Sequence, residues 1–256
     1  NEIAFGESGF IIDTSGKNYR ASIACGCYGK RSNIDIRWKR GFVTAGKNKL
    51  NNLVAVKYHI RSLFPVDTIA LHNFSNGYCG ISSIGSEKYC LCYLTRAENL
   101  QKVKGSVPDM EKMILMQNPH LKKIMNEMEI LYDRPLTISR ISFDKKKQVE
   151  RHVIMIGDAA GMITPLCGNG MSMALHGSKL AAKQIHLFLQ GRVTREKMEQ
   201  QYAYQWQKQF AWRLKMGRRI QRLFDHSWLT NSFIHIAKHS PRLVSFMVRQ
   251  THGTTF

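Results

Sequence analysis

Acidic residues are scarce in this chain of 256 residues, in which 18 Asp and Glu stand against 38 Lys and Arg and the formal net charge is +20. The imbalance is strong from His176 to Phe256, where 14 basic residues stand against 3 acidic ones. A positive field of this kind attracts anions, nucleic acid or acidic lipid. The alternative is a solvated helix face whose acidic counterpart lies in a missing N-terminal part.

Long apolar runs and targeting signals are also absent. No apolar run reaches the ~18 residues that cross a membrane, and the first residues do not resemble a signal peptide. The chain begins with Asn1 rather than Met, and a strand-like segment follows at once. We therefore expect a piece of a longer protein. The predicted location is cytoplasmic or peripheral to a membrane.

Cysteine spacing typical of zinc sites is missing. The six cysteines include two C-x-C pairs, Cys25 with Cys27 and Cys90 with Cys92, and no C-x-x-C pair. Zinc sites use C-x-x-C spacings or nearby paired histidines, so we predict no metal site. Within a strand, C-x-C places both thiols on one face. The sequence predicts free thiols in buried strands of a cytosolic protein.

The first part of the chain has the pattern of β-structure. A hairpin is predicted over residues 9–24. Four strands are predicted within residues 54–95, with tight turns at Asn76-Gly77 and Gly85-Ser86, and they indicate an antiparallel meander. A further strand is predicted from Leu136 to Phe143. There are no repeats, low-complexity segments or linker-like stretches.

Helices are predicted between and after these strands. Pro108 and Asn118-Pro119 are typical of first-turn and capping positions. The methionine-rich segment that they open is predicted to pack in a core, and the alternative is the wall of a pocket for a greasy ligand. Two longer helices are predicted, Ser172–Leu189 with Gly191 as its C-cap and Glu196–Phe224. The second is amphipathic and basic, with an apolar face formed by Phe210, Leu214, Gly217, Ile220 and Phe224.

The most informative segment joins a short apolar strand to the Ser172–Leu189 helix. It begins at Val153, continues with Gly157-Asp158, and reaches the helix through Gly168-Asn169-Gly170. A strand that ends in Gly-Asp leaves a carboxylate at the carboxyl end of a sheet, where open α/β folds bind ligands. Glycines allow close approach of the backbone, and the helix start supplies unpaired N–H groups and a positive dipole end.

This segment resembles the second FAD-binding motif of the flavoprotein family that includes p-hydroxybenzoate hydroxylase, geranylgeranyl reductases and flavin-dependent halogenases. Gly157-Asp158, Pro165 and Gly168-x-Gly170 match the spacing of that motif. The resemblance implies an α/β (α+β) fold: an incomplete, Rossmann-like FAD-binding domain with an inserted antiparallel-sheet substrate domain and C-terminal helices. It implies FAD as cofactor, with NAD(P)H as an optional electron donor.

The resemblance also implies which residues bind the cofactor: Gly157, Asp158, Pro165, Gly168, Asn169, Gly170 and Met171. Asp158 would accept a hydrogen bond from a ribityl hydroxyl, and Pro165 would fix the loop beside the isoalloxazine face. Backbone N–H groups of residues 168–171 would face the N1/C2-carbonyl edge, where a helix N-terminus stabilises the reduced flavin. A valine at Gly170 is expected to strain the turn and to collide with the ring.

Other parts of the family pattern are missing. Nothing in residues 1–60 has the G-x-G-x-x-G spacing that binds the FAD pyrophosphate. The segment Tyr28-Gly29-Lys30-Arg31-Ser32 resembles the family's Asp-Gly-x-x-Ser, but Tyr28 replaces the Asp, and Asp35 replaces the Arg that usually follows. We therefore expect these residues alone to be inactive and to bind FAD poorly.

The sequence leaves the reaction open. Gly161 after Asp-Ala-Ala favours the reductase and halogenase branches, and a geranylgeranyl-reductase-like reduction of a hydrophobic substrate is the first hypothesis. The second is an FAD-dependent monooxygenase of an aromatic or polyketide-type substrate. The third is a basic binding module for membrane or nucleic acid. No catalytic residue is assigned, although five strand residues could reach a substrate: Tyr58, His59, His72, Tyr78 and Tyr93.

Domain boundaries and partners follow from this resemblance. Residues 1–40 and 141–190 are predicted to belong to the FAD-binding domain, residues 41–140 to the substrate domain, and residues 191–256 to a C-terminal helical region. The expected partners are a small hydrophobic substrate and a membrane surface touched by the basic C-terminal helices. Nucleic acid is not expected, because aromatic and basic residues do not alternate on a sheet.

Overall fold

The computed structural model describes residues 2–7, 9–44, 52–223 and 227–252. The strands are β1 (Glu2–Gly6), β2 (Gly9–Asp13), β3 (Asn18–Ala21), β4 (Cys25–Gly26), β5 (Leu53–Arg61), β6 (Ala70–Phe74), β7 (Gly77–Gly85), β8 (Lys88–Arg96), β9 (Glu129–Ile130), β10 (Leu136–Ile141), β11 (Val149–Glu150) and β12 (Val153–Met155). The helices are α1 (Asn33–Arg37), α2 (Gly41–Thr44), α3 (Ala97–Lys102), α4 (Val107–Met113), α5 (Pro119–Glu127), α6 (Gly170–Leu189), α7 (Arg195–Leu223), α8 (Ser227–His239) and α9 (Pro241–His252).

The chain divides into two compact units. The first contains Asn1–Gly46, Phe143–Gln221 and Ser240–Phe256, and the second contains Lys47–Ser142 and Arg222–His239. The second unit is therefore largely an insertion between two segments of the first.

Two small sheets organise the first unit. In one, β1, β2 and β3 are antiparallel, and the pairing of Asp13 with Asn18 confirms the predicted hairpin. In the other, β12 pairs in parallel with β4 and antiparallel with β11. All three residues of β12 are buried, as expected for a strand covered on both faces. This strand carries the Gly157-Asp158 loop at its carboxyl end.

The long helix α7 packs its apolar face inside the first unit. Met198, Tyr202, Trp206, Phe210 and Leu214 follow one another at a spacing of four residues, and all are buried. The predicted position of this helix and its predicted apolar face are confirmed, except that Phe224 lies outside the described residues. Burying each such side chain stabilises the unit by about 1.5–3 kcal/mol, which is why α7 is fixed against the core.

The second unit is built on one antiparallel sheet with the strand order β10-β5-β8-β7-β6, and β9 also pairs with β5. The predicted strands are confirmed, and β6, β7 and β8 form a meander. The first strand departs from the predicted order, because β5 pairs with β8 and β10 rather than with β6. The turns are displaced by one residue: Asn76 in one, and Ser86 and Glu87 in the other, have positive φ.

Helices α3, α4 and α5 cover one face of this sheet. The starts of α4 and α5 are as predicted: Pro108 lies in the first turn of α4, which Ser106 caps, and the Asn118 side chain accepts the N–H groups of His120 and Leu121 at 2.9 and 3.3 Å at the start of α5. Met110 is fully buried, which confirms the predicted methionine-containing core, whereas Met113 is 63% exposed.

The cysteine prediction is partly wrong. No disulfide links the six cysteines, and Cys79 and Cys167 are buried, but Cys25 and Cys27 are exposed. The reason is the shortness of β4, in which Gly26 and not a thiol takes the buried position. Within the described ranges, no group of three or more His, Cys, Asp or Glu side chains is arranged to hold a metal. No described helix is long and apolar enough to cross a membrane.

Candidate functional site

The loop after β12 is a tight turn that favours glycine at its first position. Gly157 has a φ of +63°, and a Cβ there would lie 3.3 Å from Cβ of Ala174 on α6. Its carbonyl accepts the N–H groups of Ala160 and Gly161 at 3.0 and 3.2 Å. Asp158 is therefore held next to the start of α6, with its side chain half-buried.

The start of α6 exposes backbone N–H groups. The first hydrogen bond of the helix runs from the Met173 N–H to the Asn169 carbonyl at 3.1 Å. The N–H groups of residues 170–172 lie before this bond and have no partner within the helix. The Asn169 side chain does not cap them. A Cβ at Gly168 or Gly170 would meet nothing within 4 Å, and Gly168 has a φ of +63°. The backbone here faces open space, which is the arrangement that suits a planar or anionic ligand.

Two further glycines have a different role, which is to let α7 pack behind the loop. A Cβ at Gly161 would lie 2.5 Å from the Trp206 ring. A Cβ at Gly217 would lie 3.2 Å from Cys167 Sγ and from Thr164 Oγ1. Thus the absence of a side chain at Gly161 and Gly217 allows the loop and α7 to pack closely, whereas its absence at Gly168 and Gly170 leaves open space over the start of α6.

Two buried cations hold the carbonyl groups of the same loop, and no motif in the sequence indicated them. Lys146 Nζ donates to the Asp158 carbonyl at 2.7 Å and to the Lys30 carbonyl at 2.8 Å. Arg40 Nη1 donates to the Ala159 carbonyl at 3.2 Å. We call Arg40 and Lys146 the loop-binding cations. Because they bind main-chain atoms of residues 158 and 159, the Asp158 carboxylate is left available for other partners.

The charge of Arg40 is balanced by a buried aspartate. Asp35 is fully buried; its Oδ1 lies 2.9 Å from Arg40 Nη1 and accepts the Tyr28 hydroxyl at 2.5 Å. The Asp35 Oδ2 accepts the Ser32 N–H at 2.7 Å and completes a capping box on α1. Tyr28 and Asp35, the two residues that depart from the Asp-Gly-x-x-Ser pattern, therefore contact each other and Arg40. The Ser-x-x-Asp spacing was the one signal in the sequence that could have revealed this box.

Burial controls the ionisation of the two groups beside the loop. Burial raises the pKa of the Asp158 carboxyl, and the nearby Lys146 ammonium partly lowers it. Burial lowers the pKa of Lys146 to about 8, although Asp35 and Asp158 favour its charged form. Functional sites often contain carboxyl groups whose pKa is raised because burial disfavours the ionised form, as it does at Asp158.

Lys146 should make the stability of the protein depend on pH. Its folded-state pKa of about 8 lies below the ordinary value of 10.5, so between these values the unfolded chain binds more protons. The contribution of Lys146 to stability therefore increases with pH in this window, by at most about 1.4 kcal/mol per pH unit. We expect the unfolding free energy of the wild type, minus that of Lys146→Met, to increase in urea titrations between about pH 8 and 10. A constant difference would contradict the lowered pKa.

The predicted cofactor residues lie in two settings. Gly157, Asp158 and Gly170 line one crevice, together with Met173 and Trp206. The others lie along the start of α6: Pro165, Gly168 and Met171 are exposed, and Asn169 is buried. Their chemistry fits a flavin, because open backbone N–H groups at a helix start and a half-buried carboxylate can bind a carbonyl edge and a hydroxyl. The assignment of these seven residues stays a prediction.

The strand residues proposed from the sequence lie in different surroundings. Tyr58 and Tyr93 each donate to Glu111 Oε1 at 2.7 Å, and burial raises the pKa of that carboxyl. His72 stacks against His120 with ring centroids 5.8 Å apart. Tyr78 is buried, and His59 borders an open groove. The structure therefore does not gather these candidates into one constellation.

Comparison with known proteins identifies one family and a set of similar structures. Residues 87–215, half of the chain, match the model of the family described as squalene epoxidase. A stretch of 95 residues is 32% identical to conditioned medium factor receptor 1 of Dictyostelium discoideum, and it covers 37% of this chain and 14% of that protein.

Solved structures of flavoproteins share the fold. The flavin-dependent brominase Bmp2 aligns with a TM-score of 0.71 and 16% identity over 98% of this chain and 63% of that chain. The flavin-dependent halogenase CmlS aligns with a TM-score of 0.67 and 14% identity over 100% of this chain and 45% of that chain. For HpxO of Klebsiella pneumoniae complexed with FAD and uric acid, the TM-score is 0.65 and the identity 12%, over 98% and 65% of the two chains. The chain thus spans less than two thirds of the length of each of these three proteins. Their shared fold confirms the predicted fold class.

Proposed function

This chain belongs to the squalene epoxidase family, a family of FAD-dependent oxidoreductases, and from that premise we propose that it oxygenates an apolar substrate. The observation that carries the proposal is the extent of the family match, which includes the whole Gly157-Asp158 loop and the start of α6. The open backbone at Gly168 and Gly170 supports it independently, because a packed helix start would leave no room for a cofactor.

We propose that the chain's residues bind and orient the flavin. The Asp158 carboxylate accepts a cofactor hydroxyl, and the N–H groups at the start of α6 bind the carbonyl edge of the ring. The loop-binding cations fix the carbonyls of residues 158 and 159 so that the Asp158 side chain keeps its direction. FAD supplies the redox chemistry when bound, and we propose NAD(P)H as the source of its electrons.

Reduction of a hydrophobic substrate, as in geranylgeranyl reductases, is the competing proposal, since both reactions would use the same flavin-binding residues. The two differ in their need for oxygen. The epoxidase family match favours oxygenation, and an apolar polyene such as squalene is the substrate to test first.

The remaining proposals concern location and partners. Contact with an anionic membrane surface is supported by α9, where Arg242 and Arg249 are exposed, as are the apolar side chains of Val244 and Phe246. Such a contact would deliver an apolar substrate without requiring a membrane-spanning helix.

The reaction is tested in the longest natural polypeptide that contains these residues. It is loaded with FAD, reduced, mixed with squalene, and exposed to ¹⁸O₂ or kept without oxygen. We expect a product that contains one ¹⁸O atom and no product without oxygen. A saturated product formed anaerobically would instead support the reductase, and a folded, flavin-loaded protein that gives neither product would contradict both.

The Asp158→Asn variant tests the site itself. We expect its affinity for FAD to fall by about 1.5–3 kcal/mol, because a buried hydroxyl loses a charged acceptor. Its unfolding free energy should not fall, because burial disfavours the ionised carboxylate in the folded protein. In the longest natural polypeptide that contains these residues, isothermal titration with FAD and urea unfolding measure the two effects separately. If this variant binds FAD with wild-type affinity, Asp158 does not bind the cofactor.

A further inference from the structure

The helix-covered side of the inserted sheet contains an open pocket that the proposed flavin chemistry does not use. It lies between the end of β6, α3, the end of α4 and the start of α5, and its volume is about 480 Å³. Ligand pockets commonly have volumes of roughly 300–1,000 Å³. All the residues that line it belong to the second unit. We call it the α3–α5 pocket.

Asn99 of α3 lines this pocket and has a side-chain oxygen without a donor. Its Nδ2 donates to the Ser75 carbonyl at 2.7 Å and to Thr95 Oγ1 at 2.9 Å, so both amide hydrogens are used. The Thr95 hydroxyl itself donates to the Asn76 carbonyl at 3.3 Å, which fixes the orientation of the Asn99 amide. Although Asn99 is only 1% exposed, its Oδ1 accepts no hydrogen bond within the part of the chain that the structure describes. A buried carbonyl without a donor is unfavourable, so this atom indicates a ligand that donates.

Lys102 adds a positive charge to the same wall of the pocket. Residues three apart in a helix lie on one face, and Lys102 and Asn99 both line the pocket. The Lys102 side chain is exposed and forms no ion pair with any residue that the structure describes. Among those residues, no Asp or Glu lines the pocket. The pocket therefore offers an unused acceptor beside a cation.

The facing wall is apolar and includes the exposed methionine of α4. Met113 is 63% exposed, whereas Met110 on the same helix is fully buried. Val103 and Ile114 border the pocket with Met113 and are half-buried. Methionine side chains are flexible and polarisable, so they adapt to ligands of different shape. Core packing and the wall of a pocket are the two roles that the sequence allows for this segment, and Met110 and Met113 divide them.

We propose that the α3–α5 pocket binds a small apolar acid with a hydrogen-bond donor on its α-carbon, which is the chemistry of apolar α-amino and α-hydroxy acids. The α-ammonium or α-hydroxyl group donates to Asn99 Oδ1, the carboxylate pairs with Lys102, and the side chain lies against Met113. Simpler ligands leave one group unmatched. An amine alone brings a second positive charge close to Lys102, and a carboxylate without the donor leaves the Asn99 oxygen unsatisfied. The inference goes beyond the proposed flavin function and does not depend on it.

Isothermal titration with ligands that share a phenylethyl body tests the proposal in the longest natural polypeptide that contains these residues. L-Phenylalanine, 3-phenyllactate, 3-phenylpropanoate and phenethylamine are compared at neutral pH. We expect phenylalanine or phenyllactate to bind best and at one site, and the comparison of these two identifies the donor as ammonium or hydroxyl. Phenylpropanoate and phenethylamine should each bind at least about tenfold more weakly than the better of the two. If either simpler ligand binds equally well, or if no ligand binds, the proposal is wrong.

A lysine variant and its matched control locate the carboxylate. Lys102→Met should lower the affinity for the best ligand about three- to tenfold without lowering that for phenethylamine, because only a carboxylate pairs with Lys102. Lys122→Met removes an exposed lysine of α5 outside the pocket and should change neither affinity. Thermal unfolding establishes that both variants are folded. Equal affinity of the two variants for the best ligand would contradict the assignment.

Nuclear magnetic resonance of ¹³C-methyl-labelled methionine locates the side chain of the ligand. The Met113 signal, assigned by its loss in Met113→Leu, should shift when the best ligand is added, because an aromatic ring then lies beside it. An unshifted Met113 signal at saturation would place the ligand elsewhere and overturn the proposal. The titrations are repeated with FAD bound, and the affinity should not change. Binding that FAD abolishes, or that requires FAD, would assign the ligand to the flavin site instead, so this result and the FAD test are judged separately.

Discussion

Replacing Arg40 by methionine should lower the unfolding free energy by about 3–5 kcal/mol, because the buried Asp35 carboxylate loses the guanidinium that lies 2.9 Å from its Oδ1. Arg40 is 3% exposed and Asp35 is fully buried, so water cannot replace the lost partner. The variant also loses the Arg40 hydrogen bonds to the carbonyls of Ala159 and Lys147. The effect is measured by urea unfolding, followed by tryptophan fluorescence, which reports on the buried Trp206.

A second variant separates the charge effect from lost packing. Asp35→Asn combined with Arg40→Met removes both charges and should recover part of the lost stability, since no uncompensated charge remains. The Arg40→Lys variant should be intermediate, because an ammonium keeps the charge but cannot reproduce the planar, forked donation of a guanidinium. A loss below about 1 kcal/mol in Arg40→Met would show that the buried pair does not stabilise the loop.

Valine at Gly170 should abolish FAD binding and leave folding intact. A Cβ at this position meets nothing within 4 Å, and the backbone of Gly170 does not have positive φ. The strain expected from the sequence is therefore absent, and the valine side chain occupies only the open space over the helix start. If that space is where the flavin ring approaches, affinity should fall at least about a hundredfold, or roughly 2.7 kcal/mol.

Gly161→Val is the matched control, because its Cβ would lie 2.5 Å from the Trp206 ring. This variant should lose about 1–3 kcal/mol of stability through overpacking. In the longest natural polypeptide that contains these residues, urea unfolding should separate the two variants: Gly170→Val keeps wild-type stability, whereas Gly161→Val, in the same crevice but against the Trp206 ring, is destabilised. FAD titration of Gly170→Val should then show loss of binding in a protein as stable as the wild type. A Gly170→Val protein that binds FAD like the wild type would show that the flavin does not approach this helix start.

The features that the sequence predicted well are those with local signals. Asn118 before Pro119 marks a helix start, and Gly191 after Leu189 marks a helix end, where its φ is +70°. The four-residue spacing along α7 identified its buried face because periodicity is a property of one segment. The motif at Gly157-Asp158 was found for the same reason.

Features that depend on distant residues could not be predicted. The pairing of β5 with β8 rather than β6 is decided by packing across the sheet. Arg40 and Ala159 are 119 residues apart, and no local pattern indicates their hydrogen bond. Four glycines near the loop look alike in the sequence, yet Trp206 decides that Gly161 serves packing while Gly170 stays open. Their roles become distinct only when the neighbouring helix is known.

The register of β5 with β10 has a consequence for how the chain folds. Leu53 near the start of the inserted unit pairs with Ile141 near its end. The first unit must join β4 to β12, which lie on either side of the insertion, and closing a long unstructured loop costs conformational entropy. Once the insertion has folded, its two ends are already adjacent, so the rest of the chain closes as if across a short loop. We therefore expect the inserted sheet to form first and to act as the nucleus that makes the parallel pair kinetically accessible.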